Sequence, residues 1–136
     1  MNPSASDRIQ GWRLYGGVLV IPCTINEHHY FRFIVDTGAA FSVLSQQTAA
    51  RIGLETTHSV RQIRIASVTQ TSTVSIIQVD SFRVGIHRLS NFEVSVVTLP
   101  DELHVDGLLG INFLERFRPS FEFDTSTLIL RPKPSR

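Results

Sequence analysis

The chain has 136 residues, 42% of them hydrophobic, with 13 basic against 12 acidic side chains. That length suits one domain with one packed core and leaves no room for a second lobe of equal size. The near balance of charge, without any run of Lys or Arg, argues against nucleic acid as a partner. No stretch approaches the roughly 20 apolar residues that span a bilayer, so no membrane partner is expected.

In chain order, residues 1–11 are polar and aperiodic and are expected to form a flexible N-terminal tail. The domain is expected over 12–131, with a second tail over 132–136, where the chain reads Pro-Lys-Pro-Ser-Arg. Leu14 to Pro22 and Tyr30 to Val35 are β-branched and aromatic runs separated by the polar cluster Asn26-Glu27-His28-His29, which predicts a hairpin. Cys23, the only cysteine, sits at the end of Val20-Ile21-Pro22-Cys23. It precludes an intrachain disulfide and reads as a buried thiol. With no run resembling a signal-peptide core near the N-terminus, a cytoplasmic location is expected. Ser45 precedes Gln46 to Ile52, a segment of good helix formers closed by Gly53, which predicts a short capped helix.

Arg61 to Val68 and Thr73 to Val79 alternate apolar with polar residues, the period of strands with one wet face, and should form a protruding hairpin. Phe82 to Val84, Leu89 and Phe92 to Val97 continue the pattern across a turn at Gly85-Ile86-His87-Arg88. Pro100-Asp101-Glu102 opens a polar loop. Ile111 to Phe117 is expected to make about two helical turns and stop before Pro119. Phe121-Glu122-Phe123 and Thr127 to Arg131 predict a last hairpin around Asp124-Thr125-Ser126. The fold class is therefore mainly β, a closed barrel-like sheet with two short helices.

Two motifs bear on chemistry. Phe33-Ile34-Val35-Asp36-Thr37-Gly38-Ala39-Ala40 delivers an aspartate from an apolar strand into a Thr-Gly turn. Val105-Asp106-Gly107-Leu108-Leu109-Gly110-Ile111-Asn112-Phe113-Leu114 sets two leucines and a glycine before Asn112. Asp106, in an Asp-Gly pair, reads as a turn residue, as does Asp124. His28 and His29 are adjacent in a turn, and His58, His87 and His104 stand alone, so all five histidines are expected to face solvent. No metal site or other cofactor is expected.

Together the two motifs resemble the retropepsin-like (clan AA) aspartic proteases, of the single-lobe homodimeric type, over roughly residues 14 to 131. The resemblance implies that Asp36 is catalytic. Hydrolysing a peptide without a metal needs an acid and a base together, and two carboxylates sharing one proton supply both, as in the aspartic-protease dyad that is the standard illustration of this effect. One chain offers one Asp-Thr-Gly, so the second carboxylate must come from a second copy across a twofold axis. The echo Phe123-Asp124-Thr125-Ser126 is rejected as an internal mate because no second Leu-Leu-Gly follows it. Within the resemblance Thr37 contacts its mate across the axis, Gly38 offers its backbone to substrate, and Ala39 lacks the hydroxyl that pepsin-like enzymes often carry there. Leu108, Leu109 and Gly110 pack beneath the loop, and Asn112 braces it. The implied partners are a second copy and a peptide or protein substrate.

The match weakens in two places. The substrate-covering flap falls at Ala66, Ser67 and Val68, yet no glycine occurs between Gly53 and Gly85. This favours an alternative function, a catalytically silent dimer of the same fold that binds a peptide or protein partner. The hairpin after Asn112 either joins a dimer interface or only closes its own barrel.

Overall fold

The computed structural model describes residues 2–14, 16–28, 30–54, 59–66 and 69–134. Its strands are β1 (Arg8–Gln10), β2 (Trp12–Leu14), β3 (Val18–Ile25), β4 (Tyr30–Val35), β5 (Val43–Ser45), β6 (Arg61–Ala66), β7 (Thr71–Val84), β8 (His87–Val97), β9 (Gly107–Leu109), β10 (Phe117–Glu122) and β11 (Thr127–Pro132), with helices α1 (Gln46–Arg51) and α2 (Ile111–Leu114). Eight strands form one sheet in the order β2-β3-β4-β9-β5-β8-β7-β6, and β3 also pairs with β7. That extra pairing, Thr24 with Arg83 and Ile25 with Phe82, joins the ends of a six-strand run into a ring. The sheet is therefore a closed barrel from which β2 and β6 project. A second sheet, β1-β11-β10, lies beside it.

Alternation along the strands fills the barrel. On β4, Phe31 and Phe33 are buried while Tyr30 and Arg32 are exposed. Phe33, Phe82, Phe92 and Phe113 meet edge to face or tilted, with ring centroids 5.0–5.8 Å apart. Each buried ring contributes roughly 1.5–3 kcal/mol of transfer free energy, and the aromatic geometry adds to it. Cys23 is fully buried among them, and burial pushes its thiol pKa up, so it stays protonated.

Turns follow their residues. Asn26 and Glu27 both take positive φ, 52° and 61°, at the β3–β4 reversal. Asn26 is a residue type that tolerates this conformation, and its amide oxygen is held across the sheet by the Ser81 N–H at 3.1 Å. Glu27 is held by Arg83 and Arg88 at 3.0 and 3.2 Å. Two prolines sit inside strands without breaking them. Pro22 lies between the β3 residues that pair with β2 and those that pair with β7. Pro119 lies on β10, which among the described residues is an edge strand paired with β11, the kind of position where strands tolerate proline.

Four expectations are corrected. Residues 8–10, assigned to an N-terminal tail ending at residue 11, form β1 against β11, with Ile9 buried. An apolar residue flanked by Arg8 and Gln10 was too short a pattern to register as a strand. The run from Leu14 to Pro22 is split by Gly16 and Gly17, whose φ values of 78° and 137° turn β2 back onto β3. Helix α2 ends at Leu114 rather than Phe117, because Phe117 packs its ring on Phe113 and starts the ladder to β11. His87 is not solvent-facing: its side chain is only 9% exposed. His28 and His104 are exposed, and His29 and His58 lie outside the described residues.

Candidate active site

Asp36 stands immediately beyond β4. Its N–H donates to the Leu109 carbonyl at 2.9 Å, which extends the parallel β4–β9 ladder by one bond and fixes where the strand ends. The chain then folds around the carboxylate. The Gly38 N–H donates to Asp36 Oδ1 at 2.9 Å, and the Ala39 N–H donates to the Asp36 carbonyl at 3.2 Å. A Cβ on Gly38 would come within 3.2 Å of Oδ1, so glycine lets the backbone approach. Among the described residues no other donor reaches the carboxylate. The result is a half-buried carboxylate with one oxygen oriented and one open.

Beneath the loop lies a closed polar network. The first two amides of α2, on Ile111 and Asn112, donate to the Ala39 and Ala40 carbonyls at 2.8 and 3.1 Å. The Asn112 amide oxygen accepts from both the N–H and the hydroxyl of Ser42, at 2.7 and 2.8 Å, while its Nδ2 donates to the Glu93 carbonyl at 2.9 Å. Ser42 Oγ in turn accepts from the Gly110 N–H at 2.9 Å, and the Ser42 carbonyl accepts from Ser95. Ser42 and Ser95 are buried. Every member is satisfied, and that condition makes a buried polar network rigid rather than costly. Gly110 has no space for a side chain, since a Cβ would meet the Ala39 carbonyl oxygen at 2.6 Å and the Phe41 carbonyl at 2.8 Å.

Strand β9 is threaded between β4, to which it runs parallel, and β5, to which it runs antiparallel. Leu109 is fully buried, whereas Leu108 is half-buried on the opposite face. Thr37 is exposed and Ala39 half-buried. Ala66 is exposed at the end of β6, and Ser67 and Val68 lie outside the described residues. The structure therefore brings Asp36, Gly38, Ala39, Leu109, Gly110 and Asn112 into one unit, with Thr37 on its rim.

Sequence reasoning understated Asp106. Its Oδ1 accepts from Thr48 Oγ1 at 2.7 Å and from Arg51 at 3.0 Å, and its Oδ2 accepts from the Arg32 N–H at 2.9 Å. It thus ties α1 to β4 just before β9. The adjacent Gly107 explains the Asp-Gly pair better than a turn does, because a Cβ there would meet the Val43 carbonyl oxygen at 2.1 Å. No group of three or more His, Cys, Asp or Glu among the described residues is arranged to hold a metal ion.

A lone oriented carboxylate can accept a proton or polarise a water, but it cannot act as base and acid at once. This geometry, an Asp-Thr-Gly turn braced by Leu-Leu-Gly and Asn, agrees with the comparisons to known proteins. The family model described as aspartyl protease matches residues 21–113, and the chain belongs to that family. A search of curated proteins found no match. Among solved structures, a retropepsin-like aspartic protease from Rickettsia conorii is 28% identical, covering 90% of this chain and 89% of that one, with a TM-score of 0.68. The retroviral protease-like domain of Ddi1 from Leishmania major is 21% identical over 87% of this chain and 95% of that one, TM-score 0.60. EIAV protease, solved with the inhibitor HBY-793, is 19% identical over 72% and 86%, TM-score 0.54. The last two support the fold alone.

Proposed function

We propose that this protein is an aspartic endopeptidase that works as a homodimer, with Asp36 of each copy sharing one proton and activating a water between them. The observation that carries the reading is the braced Asp36 itself. Its carboxylate has one oxygen oriented by Gly38 and the other open, on a loop whose rim residue Thr37 is exposed. Two carboxylates about 3 Å apart cannot both ionise, so a symmetric pair holds a general base and a general acid in the same place. The ionised member takes a proton from water as it attacks the peptide carbonyl. The protonated member hydrogen-bonds the carbonyl oxygen and later supplies a proton to the leaving amine. Gly38 and the apolar residues Ala39 and Leu108 line the site available to an extended peptide, and the β6–β7 hairpin is the element that covers it.

The test is cleavage of a diverse peptide library, read by mass spectrometry across pH 3 to 8, with the native protein and Asp36→Asn at several protein concentrations. Loss of general acid–base chemistry lowers the rate by about 10²–10⁴-fold, so cuts should vanish in the variant, and native activity should rise faster than linearly with concentration. The glycine-free flap favours a second reading, a silent dimer that binds a peptide partner. A folded dimer that cuts nothing at any pH would support it.

A further inference from the structure

We propose that the hollow between α1 and the start of β4, walled by Tyr30, Arg32 and Arg51, is a docking site for an acidic segment of a polypeptide substrate, separate from the peptide cleft at Asp36. It deepens the endopeptidase reading, on which it rests, by naming a class of substrate. The hollow has a volume of about 430 Å³ and is lined by Tyr30, Phe31, Arg32, Arg51, Ile52 and Asp106. A second hollow of about 270 Å³ shares Arg32, Arg51 and Asp106 with it and runs on to Pro100, Asp101 and His104. The two form one groove that crosses both arginines. Arg32 is four residues before Asp36, about 13 Å along an extended strand. A bound peptide in extended form covers that distance in about four residues, so one substrate can reach both places.

The charges in the groove are unevenly matched. The Asp106 side chain is only 13% exposed, and both of its oxygens are engaged by Thr48, Arg51 and the Arg32 N–H. Arg51 meets Thr48 and Asp106 through Nη2 alone, which leaves the rest of its guanidinium on a side chain that is 66% exposed. Arg32 is exposed, and among the described residues its guanidinium has neither a hydrogen-bond nor an ion-pair partner. Two cations therefore line a hollow whose one carboxylate is already taken. Asp101, at the far end of the groove, repels an acidic ligand there and favours the Tyr30 end. Arginine suits a carboxylate because its planar fork donates two parallel N–H bonds to the two oxygens. Arg51 is held in position by Asp106 and Thr48, so it loses less freedom on binding. Tyr30, 79% exposed, adds an aromatic wall, and Tyr with Arg is the pairing that dominates binding at protein interfaces. Asp and Glu side chains of a polypeptide bring both the carboxylate and an apolar stem to lay against that ring.

The test is fluorescence anisotropy of a dye-labelled octaglutamate peptide, with octaglutamine carrying the same dye for comparison, titrated with the full chain bearing Asp36→Asn so that nothing is cut. Octaglutamate should bind saturably and octaglutamine should not. Raising the salt from 50 to 500 mM should weaken the binding, as screening of exposed charges requires. Adding Arg32→Gln or Arg51→Gln should each lower the affinity by about tenfold. Arg118→Gln serves as the control. Arg118 is exposed and stands opposite Arg131 on the β10–β11 ladder, a second pair of cations outside the groove, and its replacement should leave the affinity unchanged. Circular dichroism confirms the fold of each variant, and if Arg51→Gln does not fold, Arg32→Gln against Arg118→Gln decides alone. No saturable binding, an affinity indifferent to Arg32→Gln and Arg51→Gln, or one lowered equally by Arg118→Gln overturns the site while leaving the two-carboxylate reading intact. Saturable binding of inorganic phosphate but not of octaglutamate, lost in Arg32→Gln, assigns the hollow to a small anion and overturns the polypeptide. Octaglutamate held through Arg32 and Arg51 by a native chain that cuts no peptide keeps the docking site and overturns the endopeptidase reading.

Discussion

The Asp36 loop and the β6–β7 hairpin are built in opposite ways. The loop is held by residues far apart in sequence. Ser42, Ser95, Gly110 and Asn112 close a buried hydrogen-bond network beneath it, and Gly110 allows backbone to pass where no side chain fits. The hairpin is held mainly by its own ladder. Among the described residues β6 pairs only with β7, from Arg61 opposite Ile76 to Ala66 opposite Thr71, and five of its six residues are exposed. Its base is also tied to β8 and to the Asp36 loop. Arg61 bonds Glu93 at 2.7 Å and lies 5.7 Å from the Phe41 ring at the close of the Asp36 loop. The position of the carboxylate is thus determined several times over, whereas the described part of β6 is placed by one neighbouring strand and the Arg61–Glu93 pair.

That contrast is breakable in order of severity. Gly110→Ala should do the most damage. The new methyl would overlap the Ala39 and Phe41 carbonyls, so the loop must shift, at a cost of about 1–3 kcal/mol in stability. A displacement near 1 Å at the carboxylate is enough to lower turnover about 10²-fold. Chemical denaturation and peptide cleavage on the same preparation would read both. Asn112→Ala comes next: it strands the Ser42 amide and hydroxyl and the Glu93 carbonyl, and leaving buried groups unpaired costs about 1–3 kcal/mol. A midpoint shift smaller than for an ordinary surface substitution would show that the network is not what braces the loop. On the hairpin, Arg61→Ala removes an exposed ion pair, whose loss is worth at most about 1 kcal/mol. Stability should barely move, with any effect confined to KM. A loss as large as that of Asn112→Ala would erase the distinction between the two regions.

How much of this was legible in the sequence follows the same division. Periodicity and turn chemistry are local, and they located the β3–β4 hairpin, the Ser45-capped helix and the long β7–β8 pair with few errors. Ser45 Oγ does accept from the Thr48 N–H, at 3.1 Å. The closure of the barrel by two residue pairs between β3 and β7 is a long-range event that no window of residues reports. Asp36 was legible because strand, Asp-Thr-Gly and Leu-Leu-Gly form a pattern together. Asp106 was not, because an Asp-Gly pair has the same local signature whether it makes a turn or anchors Thr48, Arg51 and β4. His87 was misjudged for the same reason: nothing beside it in sequence announces that Asp7 and Phe117 will enclose it.

His87, the first residue of β8, offers the mildest test. Its ring stands 5.0 Å from that of Phe117, its Nε2 is buried without a hydrogen-bond partner, and Asp7 Oδ1 lies 3.8 Å away. The neighbouring Arg88 points to Glu27, and Arg8 pairs with Glu122, so Asp7 is the charge that faces it. Burial lowers the imidazole pKa from 6.5, and the Asp7 carboxylate opposes that only in part. The folded state therefore resists a proton that the unfolded chain accepts. Stability from this group is complete above the unfolded value of about 6.5 and falls as the pH drops from there toward the folded value. His87→Phe keeps an aromatic ring against Phe117 and has nothing to titrate. Denaturation midpoints measured from pH 8 to 4 should show the native protein losing stability relative to this variant as the solution is acidified. Parallel curves would mean that Asp7 compensates the buried charge in full, and a relative gain on acidification would mean that the ion pair outweighs burial.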